Sequence, residues 1–346
     1  MRAAIFHAFN EALKIETVPD PAPPADGVVV RVEACGICRS DLHGWVGTDP
    51  DVVLPHVPGH EFAGTVEAVG PDCRRWKAGD RVVAPFIIAC GQCPACRSGD
   101  PTVCPDQYVP GFTGWGAFAE FIALPRADFN LERLPEASNP VEAAGMGCRF
   151  TTAYRGLVER AGLGPGEWLA VHGCGGVGLS AVMLGAALGA SVLAVDIGDE
   201  KLALARELGA NATLNARDSN DVAEAVLDIT GGGAHVSVDA LGVSETMRNS
   251  VLSLRPLGRH VQIGMPAGAH VAPAMPMDVV YRRQLSLLGS RGVAAHRLPG
   301  IFEMVAAGRV EPGRMVTRRV SLEEAGDVLA DMREFKGLGV AVIDRF

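Results

Sequence analysis

A glycine-rich turn between a predicted strand and a predicted helix is the feature that most constrains how this chain can fold. The strand covers residues 167–172, and Gly173-Cys174-Gly175-Gly176-Val177-Gly178 follows it at once. An Ala- and Leu-rich helix is predicted over 179–188, and the next strand, 191–195, ends at Asp196, 23 residues after the first glycine. This order of elements predicts a strand–turn–helix unit that binds the pyrophosphate of a dinucleotide at the helix N-terminus.

The residues of this turn and the acid after it also predict which dinucleotide is bound. Glycines allow a tight turn and a close approach of the pyrophosphate, and the carboxylate of Asp196 would accept hydrogen bonds from the adenosine ribose. The same charge would repel a 2′-phosphate, and Ile197-Gly198 offers no arginine in compensation, so we predict NAD rather than NADP. The predicted cofactor contacts in the turn are Gly173, Gly175, Gly176, Val177 and Gly178.

Strands and helices continue to alternate up to about residue 290. Beginning with a helix at 151–161, the further predicted helices are 199–208, 221–229 and 244–252, and the further strands are 212–214, 235–239, 260–263 and 285–288. Such alternation indicates a doubly wound parallel sheet with helices on both faces.

Short strands punctuated by Gly and Pro dominate the first 130 residues, which indicates a mainly β structure. The predicted elements outside the parallel sheet are a hairpin at 1–18, strands at 28–34 and 62–69, helices at 298–307 and 322–333, and a final strand at 339–343. We expect the final strand to return to the first domain. The prediction is therefore an α/β chain with a β-rich domain at 1–149 and 291–346 and a parallel-sheet domain at 150–290.

The spacing of four cysteines predicts a metal site. Cys90, Cys93, Cys96 and Cys104 match the demands of a closed tetrahedral zinc site, which would brace the loop at about 90–104 without taking part in chemistry. Redox-active or disulfide-bonded cysteines are the alternative. We prefer structural zinc because of the spacing and because no export signal is evident.

A second metal site is predicted from residues that lie far apart in the sequence. Cys38 and His60 belong to two Gly-flanked loops, and Cys148 in Gly145-Met146-Gly147-Cys148 is the candidate third ligand. Thiolate and imidazole suit zinc, and three protein ligands leave a fourth position open for substrate, as catalytic zinc requires.

Composition excludes several classes of partner. The chain of 346 residues carries 31 Lys and Arg against 40 Asp and Glu, a net charge of −9, which argues against a nucleic-acid or anionic-membrane surface. No run of 18 apolar residues and no signal peptide is evident. We therefore expect a cytoplasmic protein. For its nine cysteines, the sequence favours metal binding over a disulfide framework.

Taken together, these motifs resemble the zinc-dependent medium-chain alcohol dehydrogenase family over nearly the full length. Gly59-His60-Glu61-Phe62-Ala63-Gly64, with Gly70 and Cys73 following, is similar to the family's zinc motif, and the cysteine loop, Cys148 and the glycine turn follow in the family's order. The resemblance implies a GroES-like first domain with a Rossmann domain inserted. It also implies two zinc ions per chain, one bound by Cys38, His60 and Cys148, and NAD-linked oxidation of an alcohol.

Further residue roles follow from the resemblance. Glu61 would lie beside the catalytic zinc as an alternative ligand, and Asp41 would hold His60 in the tautomer that binds metal. Ser40 and His43 would pass the alcohol proton to solvent through the cofactor ribose. Arg39 would contact the pyrophosphate, although a solvated Arg is the alternative. Lys201 would reach the ribose or remain solvated, and Ser290 is a further cofactor-binding candidate.

The chain departs from the family's pattern near the C-terminus, and three aromatic residues are candidates for the wall of the substrate pocket. Val340 stands where many members carry an Arg for the pyrophosphate. Phe86 is assigned to the pocket wall by family position, whereas Trp45 and Trp115 fit a pocket wall or the core equally well. An apolar wall would favour hydrophobic or aromatic alcohols.

The sequence leaves two other functions open. One is a polyol or sugar-alcohol dehydrogenase of the same family, and the other is a non-catalytic NAD- and zinc-binding protein such as a redox sensor. The resemblance further implies a homo-oligomer, with a tetramer favoured over a dimer.

Overall fold

The chain divides into two units, each built from separate segments of sequence. The computed structural model describes residues 1–334 and 337–346. The first unit comprises Met1–Thr151, Gly292–Ala306 and Val316–Phe346, and the second comprises Thr152–Arg291 and Ala307–Met315. Residues 307–315, which were predicted in the first domain, thus group with the second unit.

The strands are β1 (Arg2–Ile5), β2 (Lys14–Thr17), β3 (Val28–Ile37), β4 (Glu61–Val69), β5 (Arg81–Val83), β6 (Phe121–Leu124), β7 (Glu132–Arg133), β8 (Trp168–His172), β9 (Ser191–Asp196), β10 (Ala212–Asn215), β11 (Ala234–Asp239), β12 (Leu254–Gln262), β13 (Ser286–Gly289), β14 (Val316–Ser321) and β15 (Val340–Arg345). The α-helices are α1 (Arg39–Trp45), α2 (Pro94–Arg97), α3 (Ala127–Asn130), α4 (Pro140–Tyr154), α5 (Gly176–Ala187), α6 (Asp199–Glu207), α7 (Val222–Ile229), α8 (Ser244–Leu252), α9 (Met277–Arg283), α10 (Leu298–Ala306) and α11 (Ala325–Arg333). A π-helical turn covers Arg155–Arg160, and 3₁₀ turns cover Pro101–Val103, Ala216–Asp218, Gly268–His270, Ala295–Arg297 and Pro312–Met315.

The first unit is β-rich, as predicted. β1 and β2 form the expected antiparallel hairpin, and the larger sheet has the order β14-β15-β3-β4-β5-β7, with β6 also pairing with β3. The last strand does return to this unit, because β15 pairs antiparallel with β3. Apolar side chains such as Phe6, Phe118 and Leu124 are completely buried and form the core of this unit.

The pairing of β3 with β4 brings the first two predicted metal ligands together. Gly36, near the end of β3, lies opposite Glu61, the first residue of β4. Cys38 follows β3 and His60 precedes β4, so both leave the same end of the paired strands. Antiparallel neighbours are about 5 Å apart, and the loops after β3 and before β4 therefore converge.

The helix that carries Cys148 was placed too late in the sequence. The prediction began it at residue 151, whereas α4 begins at Pro140 and is interrupted at Gly147, which has φ 37° and ψ −143°. A Cβ atom at position 147 would lie 2.3 Å from Cδ of Glu61, so only glycine fits there. Glycines are poor helix formers, and Gly145 and Gly147 therefore concealed the first half of this helix in the sequence.

The second unit is a six-stranded parallel sheet in the order β10-β9-β8-β11-β12-β13. This order is that of a Rossmann fold, in which the ligand binds at the carboxyl ends of the strands where the order reverses. The reversal lies between β8 and β11. The glycine turn follows β8 directly, so the fold places it at this point.

Within the described part of the chain, no helix is both long enough and apolar enough to cross a membrane.

Candidate metal centres and cofactor turn

The three predicted ligands of the catalytic metal meet in the first unit. Possible ligand atoms of Cys38, His60, Glu61 and Cys148 all lie within 4.8 Å of one another. The Sγ atoms of Cys38 and Cys148 are 3.4 Å apart, close to the roughly 3.8 Å that two thiolates adopt on one tetrahedral zinc ion. Cys38 and His60 are buried and Cys148 is half-buried, so the donors converge on a shielded point.

Asp41 orients this centre through both of its carboxylate oxygens. Its Oδ1 accepts hydrogen bonds from His60 Nδ1 at 2.9 Å and from the Gly59 amide at 3.1 Å, and its Oδ2 accepts from the Cys38 amide at 2.8 Å. Because Nδ1 of His60 carries the proton, Nε2 presents a lone pair to a metal. The pKa of the His60 imidazole is lowered by burial but raised further by Asp41, with a net shift upward.

Replacing Asp41 by Asn is expected to weaken zinc binding at this centre by about 10- to 100-fold, because such supporting carboxylates contribute that much to metal affinity. The measurement is zinc release against a competing chelator, and Asp72→Asn, an exposed acid outside the centre, is the matched control. Equal zinc affinity in both variants would show that the Asp41 carboxylate does not support His60.

Ser40 lies where a proton-accepting hydroxyl would be required. Its Oγ is 3.0 Å from His60 Nε2 and 3.2 Å from Cys38 Sγ. His43, one turn later on α1, is half-buried and its Nδ1 lies 3.3 Å from Thr48 Oγ1. Burial, together with the charge of Arg39, lowers the pKa of the His43 imidazole. The relay through these two side chains remains a prediction.

Glu61 is engaged by a residue that the sequence did not reveal. Its Oε1 accepts from the Cys148 amide at 2.7 Å, and its Oε2 forms an ion pair with Arg149. Arg149 is itself buried and donates to the Ile37 carbonyl at 2.9 Å. Burial raises the pKa of the Glu61 carboxyl to about 7 although Arg149 acts in the opposite direction. Glu61 and Arg149 thus join the loops that carry Cys38, His60 and Cys148.

Aromatic rings surround His60. The Phe86 ring lies 5.9 Å from the imidazole in a T-shaped arrangement, and the Phe112 ring, which was not predicted, lies at 5.2 Å. Trp45 is buried in the core and its Nε1 donates to the Glu11 carbonyl at 2.5 Å, which favours the core alternative. Trp115 is 39% exposed and donates to the Pro55 carbonyl, so its place in a pocket wall stays a prediction.

The cysteine loop also forms the predicted cluster. Sγ atoms of Cys90, Cys93, Cys96 and Cys104 lie within 4.8 Å of one another. Individual separations are 3.9 Å for Cys90–Cys96, 3.4 Å for Cys93–Cys96 and 3.9 Å for Cys93–Cys104, which bracket the spacing on a tetrahedral zinc. None of the nine cysteines is in a disulfide, which argues against the disulfide alternative. With four thiolates and no open position, the cluster suits a structural metal.

The glycine turn in the second unit has the shape of a pyrophosphate cradle. Gly173 has φ +96°, and a Cβ atom there would lie 1.8 Å from Leu241 Cδ1. A Cβ atom on Gly178 would lie 1.7 Å from the Gly173 carbonyl oxygen, so both positions require glycine. Gly175 is different, because nothing lies within 4 Å of its Cβ position. The open space at Gly175, immediately before α5, is where a phosphate would approach the helix N-terminus.

The second unit also contains the other predicted cofactor residues, Asp196, Lys201 and Ser290. The Asp196 carboxylate accepts from the amides of Cys174 at 2.6 Å, Ile197 at 2.8 Å and Gly198 at 3.0 Å, which fixes it at the edge of the turn. Lys201 is half-buried, with its stem 3.5 Å from the Cβ position of Gly198. Ser290 is buried and its hydroxyl donates to the Thr152 carbonyl at 3.1 Å.

The structure also defines the surroundings of Arg39, Val340, His56 and Cys174. Arg39 donates from Nη1 to the Met332 carbonyl at 3.1 Å, and its contact with a pyrophosphate remains a prediction. Val340 is fully buried in β15. His56 is buried and bonded to the Gly111 carbonyl at 2.8 Å. Burial raises the pKa of the Cys174 thiol, which disfavours the thiolate form.

Comparison with known proteins agrees with this geometry. Residues 24–136 match the sequence model of the alcohol dehydrogenase GroES-like domain, and residues 176–307 match that of the zinc-binding dehydrogenases. An alcohol dehydrogenase of Moraxella sp. is 36% identical over 99% of both chains. The chain belongs to the zinc-dependent medium-chain alcohol dehydrogenase family.

Two further relatives describe the breadth of this similarity. The NAD-dependent alcohol dehydrogenase of Sulfurisphaera tokodaii is 32% identical over 99% of both chains. The solved structure of the alcohol dehydrogenase TADH from Thermus sp. ATN1 superposes with a TM-score of 0.90 at 33% identity, and the match covers 100% of both chains. This medium-chain dehydrogenase is therefore an oxidoreductase that acts on alcohols.

The zinc ions implied by the family fit the residues present in this dehydrogenase. Two sulfurs and an imidazole nitrogen form the first donor set, and four sulfurs form the second, both preferred by zinc. The sequence missed Arg149 and Phe112. A buried Arg cannot be told from a solvated one in the sequence, and Phe112 lies in a Gly-rich loop without periodicity.

Proposed function

We propose that this protein is an NAD-dependent alcohol dehydrogenase that interconverts a primary or secondary alcohol, apolar or aromatic in its side group, with the aldehyde or ketone. The observation that carries the proposal is the convergence of Cys38, His60 and Cys148, with Asp41 fixing the imidazole tautomer and Ser40 beside it. A non-catalytic protein has no need for this combination at one point.

Each residue of the candidate site has a role in the proposed reaction. Zinc, when bound, supplies a Lewis acid that lowers the pKa of an alcohol hydroxyl, and NAD accepts the hydride. Cys38, His60 and Cys148 hold the metal. Ser40 accepts the substrate proton at Oγ and releases its own hydroxyl proton, which His43 passes onward to solvent. The phenyl rings of Phe86 and Phe112 exclude water from the imidazole and present an apolar surface.

The choice of NAD rests on Asp196 and on the lack of an arginine at Ile197-Gly198, and the name of the Sulfurisphaera tokodaii relative supports it. Asp196→Asn keeps an oxygen for the Ile197 and Gly198 amides, removes the charge, and places an amide nitrogen instead of an acceptor beside the Cys174 amide. We expect the ratio of kcat/KM with NAD to kcat/KM with NADP to fall about 10- to 100-fold. NAD loses a charge-assisted hydrogen bond to its ribose, and NADP is no longer repelled at its 2′-phosphate. Steady-state kinetics with both cofactors provide the measurement.

The matched control for this experiment is Asp228→Asn, an exposed acid in the last turn of α7 and away from the glycine turn, which should leave the ratio unchanged. If Asp196→Asn also leaves the ratio unchanged, Asp196 does not select the cofactor.

The substrate class is tested with a panel of alcohols. Because Phe86 and Phe112 are the rings next to His60, we expect kcat/KM for benzyl alcohol or hexanol to exceed that for sorbitol by more than about 100-fold. A preference for sorbitol would instead support the polyol dehydrogenase alternative. Failure to oxidise any alcohol in a zinc- and NAD-saturated assay would reject the proposal and favour a non-catalytic protein.

We further propose a homotetramer in the cytoplasm. Unpaired cysteines suit a reducing compartment. β13, which is an edge strand of the parallel sheet, exposes Leu287, which suits pairing through that edge. Sedimentation equilibrium is expected to give four chains, and a monomer would contradict the assembly.

A further inference from the structure

A continuous chain of hydrogen bonds runs through the interior of the second unit. It begins at Ser237 on β11, whose hydroxyl contacts that of Ser250 on α8. Ser250 Oγ lies 2.9 Å from His260 Nδ1, and His260 Nε2 lies 3.2 Å from Gln262 Oε1. Gln262 Nε2 donates to Asp239 Oδ2 at 2.5 Å. All these residues are completely or almost completely buried except Gln262, which is half-buried.

The chemistry of the partners fixes the direction of every bond. Gln262 Nε2 faces two acceptors, Asp239 Oδ2 and the Gly264 carbonyl at 2.7 Å, so the amide cannot be flipped. Its Oε1 must therefore accept, which puts the ring proton of His260 on Nε2. When the ring is neutral, Nδ1 of His260 accepts from Ser250, whose only proton is used there, so Ser237 donates to Ser250.

A neutral His260 is required for this arrangement, because one ring nitrogen accepts while the other donates. Burial lowers the pKa of the His260 imidazole, in agreement with a neutral ring. Each member of the chain thus has a fixed orientation, and hydrogen bonds that all run in one direction strengthen one another.

The chain of hydrogen bonds ends at Asp239, next to the loop that packs against the glycine turn. The Asp239 carboxylate, which receives the last bond, also accepts from the Gly242 amide at 2.8 Å. In the loop between Asp239 and Gly242, the Leu241 side chain packs against Gly173, and the Ala240 amide donates to the His172 carbonyl at 2.9 Å. This loop follows β11, and the glycine turn follows β8, the two neighbouring strands where the sheet order reverses. Rossmann folds bind dinucleotides at that reversal.

We propose that Ser250 and His260 are positioning residues for the cofactor, which act by holding the Asp239 carboxylate and, through it, the Leu241–Gly242 loop against the glycine turn. The inference rests on the proposed NAD binding. Neither side chain is part of the glycine turn, and neither belongs to the metal centres.

The first test uses the unmodified, cofactor-free protein. ¹⁵N-detected NMR of the histidine rings should show His260 as the neutral Nε2–H tautomer. A ring proton on Nδ1, or a charged His260 at neutral pH, would overturn the proposal, because the bond to Gln262 would then be reversed or the bond from Ser250 lost.

The second test measures the NAD dissociation constant by calorimetry. His260→Phe keeps an aromatic ring but removes both hydrogen bonds, and we expect it to weaken NAD binding between about 5- and 100-fold, the usual range for orphaned buried polar partners. Ser250→Ala is measured beside it and should change NAD binding in the same direction. The KM for the alcohol should stay within about twofold in both variants.

Thr230→Val is the matched control. It removes a buried hydroxyl of the second unit that donates to the Val226 carbonyl and does not belong to the chain of hydrogen bonds from Ser237 to Asp239. It should lower thermal stability but not NAD affinity. If the unmodified protein fails to bind NAD, the proposed function is wrong. If it binds NAD and both His260→Phe and Ser250→Ala bind equally well, or if Thr230→Val weakens NAD binding as much as they do, the positioning role is wrong.

Discussion

Replacing His60 by Ala or Cys148 by Ser is expected to lower alcohol oxidation by at least about 10³-fold and to leave one zinc ion per chain. The physical reason is that the donors of the centre converge on one point, with the Cys38 and Cys148 sulfurs 3.4 Å apart. A metal held there contributes several kcal/mol to the transition state, and each 1.4 kcal/mol is about tenfold in rate. Steady-state kinetics and metal analysis by mass spectrometry provide the two measurements.

Cys73→Ser is the matched control for these variants. Cys73 is half-buried and donates to Asp128 Oδ1 at 3.2 Å, a bond that a serine hydroxyl can also make. The control should retain both zinc ions and full activity. Activity near that of the control in His60→Ala and Cys148→Ser would mean that the reaction does not use this centre.

The second large effect is expected from Arg149→Met, which should lower the free energy of unfolding of the zinc-loaded protein by about 3–5 kcal/mol. Arg149 and Glu61 are both buried, and removal of the guanidinium leaves the carboxylate in an apolar environment with one partner fewer. Glycine at two positions makes room for the pair. A Cβ atom on Gly36 would lie 2.5 Å from Glu61 Oε2, and one on Gly147 would lie 2.3 Å from Glu61 Cδ.

Urea denaturation followed by tryptophan fluorescence measures this effect. The control is Arg282→Met, which removes an exposed ion pair with Asp278 and should change the free energy of unfolding by less than about 1 kcal/mol. The double variant Arg149→Met/Glu61→Leu should recover much of the loss, because no charge is then left buried without a partner. Equal stability of Arg149→Met and Arg282→Met would refute the role given to the buried pair.

The candidate metal ligands could be predicted from the sequence, whereas Arg149 could not. Cys and His are rare enough, and zinc selective enough, that Cys38, His60 and Cys148 stand out in their glycine-flanked loops. Arg149 is one of many arginines, and its burial depends on the register of β3 against β4 and on the interruption of α4 at Gly147. Both are tertiary features that no local pattern encodes.

The elements of the parallel sheet were predictable where their periodicity is uninterrupted. Helix 244–252 was predicted with the limits that α8 has in the structure. The sequence predicts that β12 begins at His260, because Pro256 and Gly258 are typical of a turn. In the structure β12 begins at Leu254 and contains both the strand and a turn-like irregularity. Leu254 pairs with Ala234, the intervening residues bulge out with Leu257 at φ 63°, and pairing resumes at Arg259.

The most direct test of the account is a crystal structure measured at the zinc absorption edge. We predict two anomalous peaks per chain, one within bonding distance of the Cys38 and Cys148 sulfurs and His60 Nε2, and one among Cys90, Cys93, Cys96 and Cys104. A zinc-saturated crystal without a peak at the first position, or with the three donors directed away from a common centre, would contradict the account.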